Sequence, residues 1–488
     1  MSSQEGAVSA TQGRVTPRLV EELRRVVGDE NVFVEPSEVL AWECDGYTLE
    51  RHPPEAVVLP ASTEEVSRVM RLLHQAQVPV IPRGAGTSLS GATVPVGGGV
   101  VVSLSRMNRI LKIDLENRRA VVEAGVVNLW VTRAVENDGF FFAPDPSSQG
   151  ACTIGGNVAT NSGGPHTLKY GVTINHILGV EMVLADGTVV ELGGEVEERP
   201  GYDLAGFVVG SEGTLGIVTK AVVRLTRAPQ AYRTLLAVFD TIDAATRTVS
   251  EVIRQGIIPA AVEMMDNLII QAVEEAFHFG FPKDAAAVLI IELDGLQAGI
   301  DELNRRVQAI CAQEGAREIR AARDEKERQE LWKARKRAFG AIGRISPSYV
   351  TQDGVVPRTK LPDILRIIAE VGRRHRIPIA NVFHAGDGNI HPILLFDDQD
   401  PDEVERVLAA SDEILTACIE LGGSVTGEHG IGIEKVKHVA AMYTQDDLDV
   451  MTGLREVFDP GRRLNPGKIF PSSKGCIEVK RPRPKASA

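Results

Sequence analysis

The sequence is poor in cysteine, and its cysteines form no motif. Cys44, Cys152, Cys311, Cys418 and Cys476 are scattered along 488 residues, and no two are spaced as C-x-x-C. Isolated thiols of this kind favour a reducing compartment. They also provide no ligand set for an iron–sulfur cluster or a structural zinc ion.

Long apolar runs and an excess of basic residues are missing as well. No stretch approaches the roughly 20 consecutive apolar residues that a membrane-spanning helix needs. The first residues lack the apolar core of a signal peptide, and Glu5 argues against a transit peptide. The formal net charge of −13 disfavours nucleic acid as a partner, because phosphate binding requires a basic face. We therefore expect a cytoplasmic protein without a transmembrane segment.

A chain of this length predicts two or three domains. Up to about residue 228, short strands alternate with helices and with stretches rich in glycine and small polar residues, and Asp186-Gly187 predicts a hairpin turn. From residue 229, apolar strands and amphipathic helices predict an α+β domain with its helices on one face of an antiparallel sheet. The basic run at 480–485 is typical of a disordered tail.

The first glycine cluster, PRGAGTSLSG at 82–91, follows a predicted strand and invites comparison with the dinucleotide-binding fingerprint. Its sixth position is Leu89 instead of glycine, no helical pattern follows, and no acidic residue lies at the expected offset of about 20 residues. A Rossmann NAD site is therefore excluded. The backbone N–H groups, with Thr87 and Ser88 as extra donors, still suit a pyrophosphate, and the alternative is a tight surface loop.

Two further clusters favour the binding site over the surface loop. Residues 144–164 (PDPSSQGACTIGGNVATNSGG) predict one long polar loop, and residues 209–220 (VGSEGTLGIVTK) place glycines ahead of a strand. Each glycine costs conformational entropy on folding, so a plain scaffold rarely carries so many. Three such loops can line one extended groove for a long ligand with a diphosphate at its centre.

Two histidines flank a glycine-bearing turn in NVFHAGDGNIHP, residues 381–392. If Asp387-Gly388 is a two-residue turn, counting outward places His384 directly opposite His391, with Cβ atoms ~4.5–5.5 Å apart. Two imidazoles so placed can bind one divalent ion. The alternative is a buried histidine pair whose nitrogens are satisfied by backbone groups.

A third ligand is available in VTGEHGIG, residues 425–432. Glu428 completes a set of two histidines and one carboxylate that leaves positions open for substrate. Adjacent side chains point to opposite sides of an extended chain, so we expect His429 to face away from the metal and to act as a base.

These and other ordered motifs resemble one protein family from about residue 20 to residue 471. The motifs are PRGAGTSLSG, TIGGNVATNSGG, GSEGTLGIVTKAVVRL, WKARKRAFGAIGRISPSY, DGVVPRTKLPDIL, HAGDGNIHP, GEHGIGIEK and DPGRRLNPGKIF. They resemble the FAD-binding subunit of glycolate oxidase and the related D-lactate and D-2-hydroxyglutarate dehydrogenases, in the vanillyl-alcohol oxidase / p-cresol methylhydroxylase superfamily.

The resemblance implies an α+β fold in four parts. These are a two-part FAD-binding domain of the p-cresol methylhydroxylase type (1–228), a ferredoxin-like substrate or cap domain with the metal site (229–436), a C-terminal segment that returns to the FAD domain (437–471) and a disordered tail (472–488). FAD is expected to be non-covalent, because the histidine that often attaches flavin in this superfamily is absent from 82–91. The residues expected at FAD are Pro82, Arg83, Gly84, Ala85, Gly86, Thr87, Ser88, Gly91, Pro144, Asp145, Ser148, Thr153, Gly155, Gly156, Ala159, Thr160, Ser162, Gly163, Glu212, Gly216, Ile217 and Asn465.

The same resemblance implies roles around the histidine turn. His384, His391 and Glu428 are expected to bind one divalent ion, either Zn, Mn or Fe, while Asn389 and His429 face the substrate, with His429 as the catalytic base.

A carboxylate substrate also needs a cation. The helix LWKARKRAF offers four: Lys333, Arg335, Lys336 and Arg337. Charge alone does not choose among them, and the resemblance implies Arg335, whose planar fork suits a carboxylate. Dicarboxylate-oxidising relatives are expected to carry extra polar residues near positions 339 and 351. Phe339 and Thr351 therefore favour a small 2-hydroxy monocarboxylate.

The expected activity is FAD-dependent oxidation of glycolate or D-lactate to the 2-oxo acid, metal-assisted, with hydride passing to flavin N5 and electrons then passing to an iron–sulfur subunit, a cytochrome or a quinone. We expect a homo-oligomer or a member of a hetero-oligomeric complex, in the cytoplasm or peripheral at the inner face of the membrane. The alternatives are a D-2-hydroxyglutarate dehydrogenase, a non-catalytic FAD-binding subunit, and a metal-dependent hydrolase without a redox cofactor.

Overall fold

The computed structural model describes residues 13–196 and 201–471, so the predicted tail at 472–488 lies outside the described residues. In chain order the strands are β1 Val32–Phe33, β2 Ala56–Val58, β3 Val80–Arg83, β4 Val100–Ser103, β5 Ile110–Asp114, β6 Arg119–Glu123, β7 Phe140–Phe141, β8 Ile177–Val183, β9 Val189–Gly193, β10 Ile217–Arg224, β11 Thr226–Arg227, β12 Ala231–Phe239, β13 Ala261–Asp266, β14 Ala287–Gly295, β15 Glu318–Ala321, β16 Ser348–Thr351, β17 Gly354–Val355, β18 Ile379–His384, β19 Asn389–Ile390 and β20 Pro392–Phe396. The α-helices are α1 Pro17–Val27, α2 Pro36–Val39, α3 Thr63–Gln75, α4 Asn128–Val135, α5 Ile154–Thr160, α6 Thr167–Tyr170, α7 Leu204–Val208, α8 Ile242–Arg254, α9 Asn267–Phe277, α10 Ile300–Gln313, α11 Glu325–Lys336, α12 Ala338–Ile342, α13 Leu361–His375, α14 Pro401–Glu420, α15 Val436–Met442 and α16 Gln445–Phe458.

The first sheet has the order β1-β2-β4-β3, with β2, β4 and β3 parallel and β1 antiparallel at the edge. Helix α3 packs on it because Val66, Val69, Met70 and Leu73 recur at helical spacing, and all four are buried. The strand–helix–strand pattern predicted for this region is confirmed.

The second sheet is antiparallel, in the order β5-β6-β10-β8-β9. Its central strand β10 alternates buried and half-buried residues, as expected of a sheet packed mainly on one side. A hairpin around Asp186-Gly187 is present as predicted, but its turn is longer than the predicted two residues. Val183 pairs with Val189, and the N–H of Leu184 donates to the carbonyl of Thr188 (2.8 Å).

The stretch 144–164 is not one long loop, as predicted, because it contains helix α5. The Thr153 hydroxyl accepts a hydrogen bond from the N–H of Gly156 (3.3 Å) and thereby satisfies a free donor of the first turn. Asn161 ends the helix with a φ of +53°, the left-handed conformation that is common at this position. These caps outweigh the low helix propensity of the two glycines inside the helix.

The large sheet begins with β12, β13, β14 and β15, which lie in the order β15-β12-β14-β13 with all neighbours antiparallel. With α8 and α10 as its crossover helices, this is the predicted ferredoxin-like arrangement, into which α9 is inserted. Strand β18 extends the sheet next to β13 and carries the histidine turn at its end.

Helices cover both faces of the large sheet, so the prediction of helices on one face is wrong. Leu235 and Ala237 of β12 pack on one side with α8, α10, α13 and α14, whereas Leu236 and Val238 pack on the other side with α9 and α12. The run LLAVF at 235–239 has no polar alternation, which is the pattern of a strand buried on both faces.

Residues 437–471 return to the first sheet. Leu464 forms a parallel bridge with Val80 on β3, and the amide of Asn465 donates to the carbonyls of Ala92 and Glu212 (2.8 and 2.6 Å). This segment therefore braces the first and third glycine clusters.

Two expectations from composition concern the cysteine thiols and membrane-spanning helices. Cys44, Cys152, Cys311 and Cys418 are free, and Cys476 lies outside the described residues. In the ranges 13–196 and 201–471, no helix combines the length and apolar character that crossing a bilayer requires.

The part of the chain before β12 is called the glycine-rich half, and the part that forms the large sheet is called the large-sheet half. A buried glutamate on β14 lies at the contact between these two halves. Glu292 accepts hydrogen bonds from Arg328 Nε (2.8 Å) and Trp332 Nε1 (2.6 Å). The hydroxyl of Thr234 donates to the same carboxylate (2.7 Å). Three donors on one carboxylate satisfy a charge that would otherwise be costly to bury.

His166, from the stretch that follows α5, completes this contact from the glycine-rich half. Its Nδ1 lies 2.7 Å from Asp145 Oδ2, and its Nε2 lies 3.4 Å from Glu292 Oε1. Burial by itself lowers the pKa of His166, but the two carboxylates outweigh that effect and raise it to about 10. The imidazole is therefore a cation that joins both halves at neutral pH.

Replacing Glu292 with glutamine removes the anion that Arg328 and His166 share. Breaking a buried charge cluster by removing one partner costs about 3–5 kcal/mol, so we expect the free energy of unfolding in urea to fall by that order. The control is E327Q, since Glu327 pairs with Arg323 at the surface and its loss should change stability little. Equal losses in the two variants would contradict the role of Glu292.

Candidate active site

One cavity of about 420 Å³ lies between the glycine-rich half and the large-sheet half. All three glycine clusters contribute to its walls, so the prediction that they line one groove is confirmed. The large-sheet half and the turn at 425–432 contribute a further part of the wall. These residues are Lys336, Phe339, Tyr349, Thr351, His391, Glu428 and His429.

The first glycine cluster leaves no room for side chains. A Cβ atom at Gly84 would overlap the hydroxyl of Thr153, and Gly86, at φ +69°, lies against the guanidinium of Arg83. Arg83 Nη1 in turn donates to the carbonyl of Cys44 (2.8 Å), so its side chain is anchored beneath the loop. The close approach of this loop to the start of α5 requires glycine.

The histidine hairpin has a longer turn than predicted. His384 pairs with Asn389 across a turn of four residues, and it does not pair with His391. Asp387 Oδ1 accepts a hydrogen bond from the N–H of Asn389 (3.1 Å), which closes the turn. The predicted register is therefore wrong by two residues. Because side chains alternate with a period of two, both histidines still lie on one face.

Both histidines direct Nε2 at the same carboxylate oxygen. His384 Nε2 and His391 Nε2 each lie 3.2 Å from Glu428 Oε1, and the three potential ligand atoms lie within 4.8 Å of one another. Burial alone would raise the pKa of Glu428, but the two histidines hold it well below its usual range. Its Oε2 is buried and has no hydrogen-bond partner among the described residues. This donor set suits a divalent ion.

The second ring nitrogen of each histidine is held from behind. His384 Nδ1 lies 2.7 Å from Glu263 Oε1, and His391 Nδ1 lies 3.4 Å from the carbonyl of Gln352. Metal-binding imidazoles are usually oriented by a carboxylate or carbonyl in this way. Burial alone would raise the pKa of Glu263, but His384 and Arg335 lower it to about 2, so it stays ionised.

A second buried carboxylate, Asp353, holds the turn that carries Glu428. It accepts hydrogen bonds from the backbone N–H groups of Gly427 (3.0 Å), Glu428 (3.2 Å) and His429 (2.9 Å). The hydroxyl of Thr426 donates to it as well (2.6 Å). One side chain thus satisfies three consecutive backbone donors and fixes the turn.

Glu428 and His429 converge, so the expectation that they point to opposite sides is wrong. The chain bends at 427–429, which brings His429 Nε2 to 3.9 Å from Glu428 Oε1. The His429 ring stacks on His391 with centroids 4.9 Å apart, and its Nδ1 has no hydrogen-bond partner among the described residues. Burial lowers the pKa of His429 to about 4, so the ring is neutral at neutral pH.

Two family models match the chain, the FAD binding domain at residues 54–193 and the C-terminal domain of FAD linked oxidases at residues 228–469. Glycolate oxidase subunit GlcD of Escherichia coli (strain K12) is 44% identical over 456 residues, which cover 93% of this chain and 91% of that protein. The chain belongs to the FAD-linked oxidase family. D-lactate dehydrogenase of Anaerostipes hadrus is 31% identical over 472 residues, with 93% and 98% of the two chains covered.

The fold of this FAD-linked oxidase is also that of p-cresol methylhydroxylase. A crystal structure of that enzyme with substrate bound aligns with a TM-score of 0.79 at 20% identity, covering 93% of this chain and 96% of that one. At this identity the likeness concerns the fold alone, and it confirms the predicted architecture.

Most residues predicted at FAD line the cavity. They are Pro82, Arg83, Gly84, Ala85, Gly86, Thr87, Ser88, Ser148, Thr153, Gly155, Gly156, Ala159, Thr160, Ser162, Glu212, Gly216 and Ile217. Glycine backbone and small hydroxyl side chains on this scale suit a long ligand with a pyrophosphate. The wall therefore fits FAD, while each single contact stays a prediction.

The other residues predicted at FAD do not line the cavity. They are Gly91, Pro144, Asp145, Gly163 and Asn465. Gly91 lies against Ile433, the carbonyl of Pro144 accepts from Asn128, and a Cβ atom at Gly163 would lie 3.0 Å from Glu428 Oε2. Their contact with FAD stays a prediction.

The predicted substrate residues Arg335 and Asn389 are not among the residues that line the cavity. Arg335 Nε donates to Glu263 Oε2 (2.6 Å), although its Nη2 is buried without a hydrogen-bond partner in the part of the chain described. Asn389 Nδ2 donates to Asp353 (2.7 Å) and to the carbonyl of Gly354 (3.2 Å). Their contact with substrate stays a prediction.

Sequence reasoning missed the two orienting carboxylates. Glu263 is the lone acid in the apolar run AAVEMM, and a charge inside a buried strand signals a partner elsewhere. Asp353 stands within the motif DGVVP, but no local spacing connects it with a turn at 426–429.

We expect D353N to loosen the turn at 427–429. An asparagine amide group cannot accept the hydrogen bonds that one of the two carboxylate oxygens receives, and each unsatisfied buried donor costs about 1–3 kcal/mol. Hydrogen exchange of the peptide covering 425–432 should become about tenfold faster or more, as measured by mass spectrometry. D387N at the hairpin is the control and should leave that peptide protected. Unchanged exchange in D353N would contradict this role.

Proposed function

We propose that this FAD-linked oxidase oxidises a small 2-hydroxy monocarboxylate, glycolate or D-lactate, to the 2-oxo acid. The observation that carries the proposal is that the three glycine clusters and the group His391, Glu428 and His429 line the same cavity. A small acid in this cavity can contact both sets of residues.

The names of relatives support the choice of substrate. Glycolate oxidase subunits of Escherichia coli and Bacillus subtilis are 44% and 41% identical to this chain, and D-lactate dehydrogenase of Anaerostipes hadrus is 31% identical. Phe339 and Thr351 both line the cavity, and neither supplies a charge for a second carboxylate. Because these relatives are named for glycolate and D-lactate, D-2-hydroxyglutarate is less favoured as the substrate.

We also propose that His384, His391 and Glu428 bind one divalent ion, either Zn, Mn or Fe. The buried, unpartnered Oε2 of Glu428 and the convergence of both Nε2 atoms on Oε1 support this assignment. The orienting contacts of both Nδ1 atoms support it further, because they leave Nε2 as the ligand atom.

In the proposed reaction, the cofactors and the residues of the chain have different roles. Bound FAD supplies a two-electron acceptor, and a bound divalent ion supplies a Lewis acid. His429 takes up the hydroxyl proton, and its Nε2, 3.9 Å from Glu428 Oε1, is the ring nitrogen on the side of the proposed metal ligands. Arg335 offers its free Nη2 to the substrate carboxylate, and Asn389 orients the hydroxyl side of the substrate.

Several finer assignments belong to the same proposal. FAD is held without a covalent bond by the domain 1–228, the cap domain is 229–436, and the segment 437–471 closes the FAD domain. Electrons leave the flavin for an iron–sulfur subunit, a cytochrome or a quinone, since the described cysteines are isolated. Membership of a complex, in the cytoplasm or at the inner face of the membrane, is consistent with the word subunit in the name of the E. coli relative.

The proposal is tested by anaerobic mixing with a panel of 2-hydroxy acids while the flavin absorbance is recorded. We expect glycolate or D-lactate to bleach the flavin and 2-hydroxyglutarate to do so more slowly. H429Q should retain FAD and bleach about 100-fold or more slowly, because general-base catalysis typically contributes about 10²–10⁴-fold.

If no acid bleaches the wild-type flavin, the dehydrogenase proposal is wrong. If H429Q bleached the flavin at the full rate, His429 would not be the base, but the proposed oxidation would stand. A colourless protein that cannot take up FAD would favour the hydrolase.

Metal binding is tested by elemental analysis of the purified chain. We expect about one divalent ion per chain in the wild type and in E434Q, a control at a nearby half-buried acid outside the ligand set. E428Q should lose most of the ion and keep its FAD, because the three ligands and the glycine clusters are separate sets. A full metal content in E428Q would contradict the ligand assignment.

A further inference from the structure

We infer that Lys336 is a further substrate-binding residue of this cavity, and that its ammonium group contacts the carboxylate of the entering acid. This inference rests on the proposed function and deepens it. The helix LWKARKRAF carries four cations, and charge alone does not show which of them binds the substrate carboxylate. The inference adds Lys336 to Arg335 in that role.

The four cations of this helix have different surroundings. Arg335 is 2% exposed and is paired with a buried glutamate. Arg337 lies over the ring of Phe277, 4.9 Å from its centroid. Lys333 and Lys336 are both exposed, but Lys333 does not line the cavity. Of the four, Lys336 lines the cavity.

The local geometry explains why Lys336 faces this space. Lys336 and Phe339 are three residues apart across the junction of α11 and α12, and both line the cavity. Tyr349 and Thr351 are two residues apart on β16, so they share a face of the strand, and they also line the cavity. The wall thus combines one ammonium group, two hydroxyl groups and one phenyl ring.

Lys336 is also available for a new ion pair. Among the described residues it takes part in no ion pair, whereas its neighbour Arg335 does. A cation without an anionic partner can bind an incoming carboxylate without first breaking an existing pair. Charge-assisted contacts of this kind are stronger than neutral hydrogen bonds.

Arg335, the neighbour of Lys336, is joined to a proposed metal ligand by a short chain of contacts. Arg335 Nε is 2.6 Å from Glu263 Oε2, and Glu263 Oε1 is 2.7 Å from His384 Nδ1. The end of α11 is therefore joined to a proposed metal ligand through a single carboxylate. Lys336 lines the same cavity as the proposed ligands His391 and Glu428, so an acid bound at these ligands shares one space with its ammonium group.

The two neighbouring cations then have different tasks. Arg335 is largely occupied with Glu263 and retains one free nitrogen, whereas Lys336 offers a mobile point charge on a flexible stem. We expect the lysine to contribute chiefly to the capture of the anion and little to the chemical step, because its contact is the same in the bound substrate and in the transition state.

The test compares K336Q and K336R with K333Q, a matched control one turn earlier on the same helix and outside the cavity. In K336Q we expect the KM for glycolate to rise about 10- to 100-fold, as for loss of a hydrogen bond to a charged group, with kcat within about threefold. The dissociation constant of oxalate, an unreactive anion, should rise by a similar factor when it is read from the flavin absorbance of the FAD-loaded chain. K336R should recover most of the loss, and K333Q should match the wild type.

Two results would overturn the inference. If the KM for glycolate and the affinity for oxalate were unchanged in K336Q, Lys336 would not be a substrate-binding residue. If K333Q lost as much oxalate affinity as K336Q, the effect would be one of general surface charge. The oxalate titration does not depend on turnover. If no 2-hydroxy acid bleached the flavin but oxalate binding still required Lys336, the anion site would stand and the proposed oxidation would not.

Discussion

The candidate active site depends on the hydrogen bonds that Asp353 accepts from three consecutive backbone N–H groups. Buried backbone donors need an acceptor, and the carboxylate supplies it to Gly427, Glu428 and His429 at once. The same carboxylate accepts from the amide of Asn389 in the histidine hairpin (2.7 Å). It therefore fixes hairpin and turn against each other, and the meeting of two imidazoles with one glutamate follows from this arrangement.

Buried acids with several donors occupy the other junctions of the molecule as well. Glu212, in the third glycine cluster, accepts from the N–H groups of Ile431 (2.6 Å) and Gly432 (2.9 Å), just past the turn that carries Glu428. Burial raises the pKa of Glu212 to about 7. Glu292 joins the halves through His166, while Arg328 donates to it from within the large-sheet half. A buried carboxylate is costly unless its partners are in place, so each of these contacts restricts how the glycine-rich half and the large-sheet half can be arranged.

The sequence predicted elements and faces better than turn lengths and caps. The hairpin register was wrong by two residues, because Asp387-Gly388 suits a two-residue turn and nothing local shows that the turn has four. The prediction that both histidines lie on one face of the hairpin was still right, because an error of two residues keeps side chains on the same face. Helix α5 was missed because two glycines at its start suggested a loop, while the cap at Thr153 decided otherwise. The apolar run 235–239 indicates a strand buried on both faces, so helices on both faces of the large sheet could have been predicted from it.

The roles of the cations show a limit of a different kind. Arg335 and Lys336 are neighbours, so about 100° of helix rotation separates their side chains. Which of the two reaches the cavity depends on where Glu263 lies, and that residue is 72 positions earlier in the chain. His384 depends on the same glutamate across 121 positions. No periodicity or motif on α11 contains this information, because it arises when β13, β18 and α11 pack together. The cations of α11 were evident in the sequence, whereas a tertiary contact sets which of them pairs with Glu263.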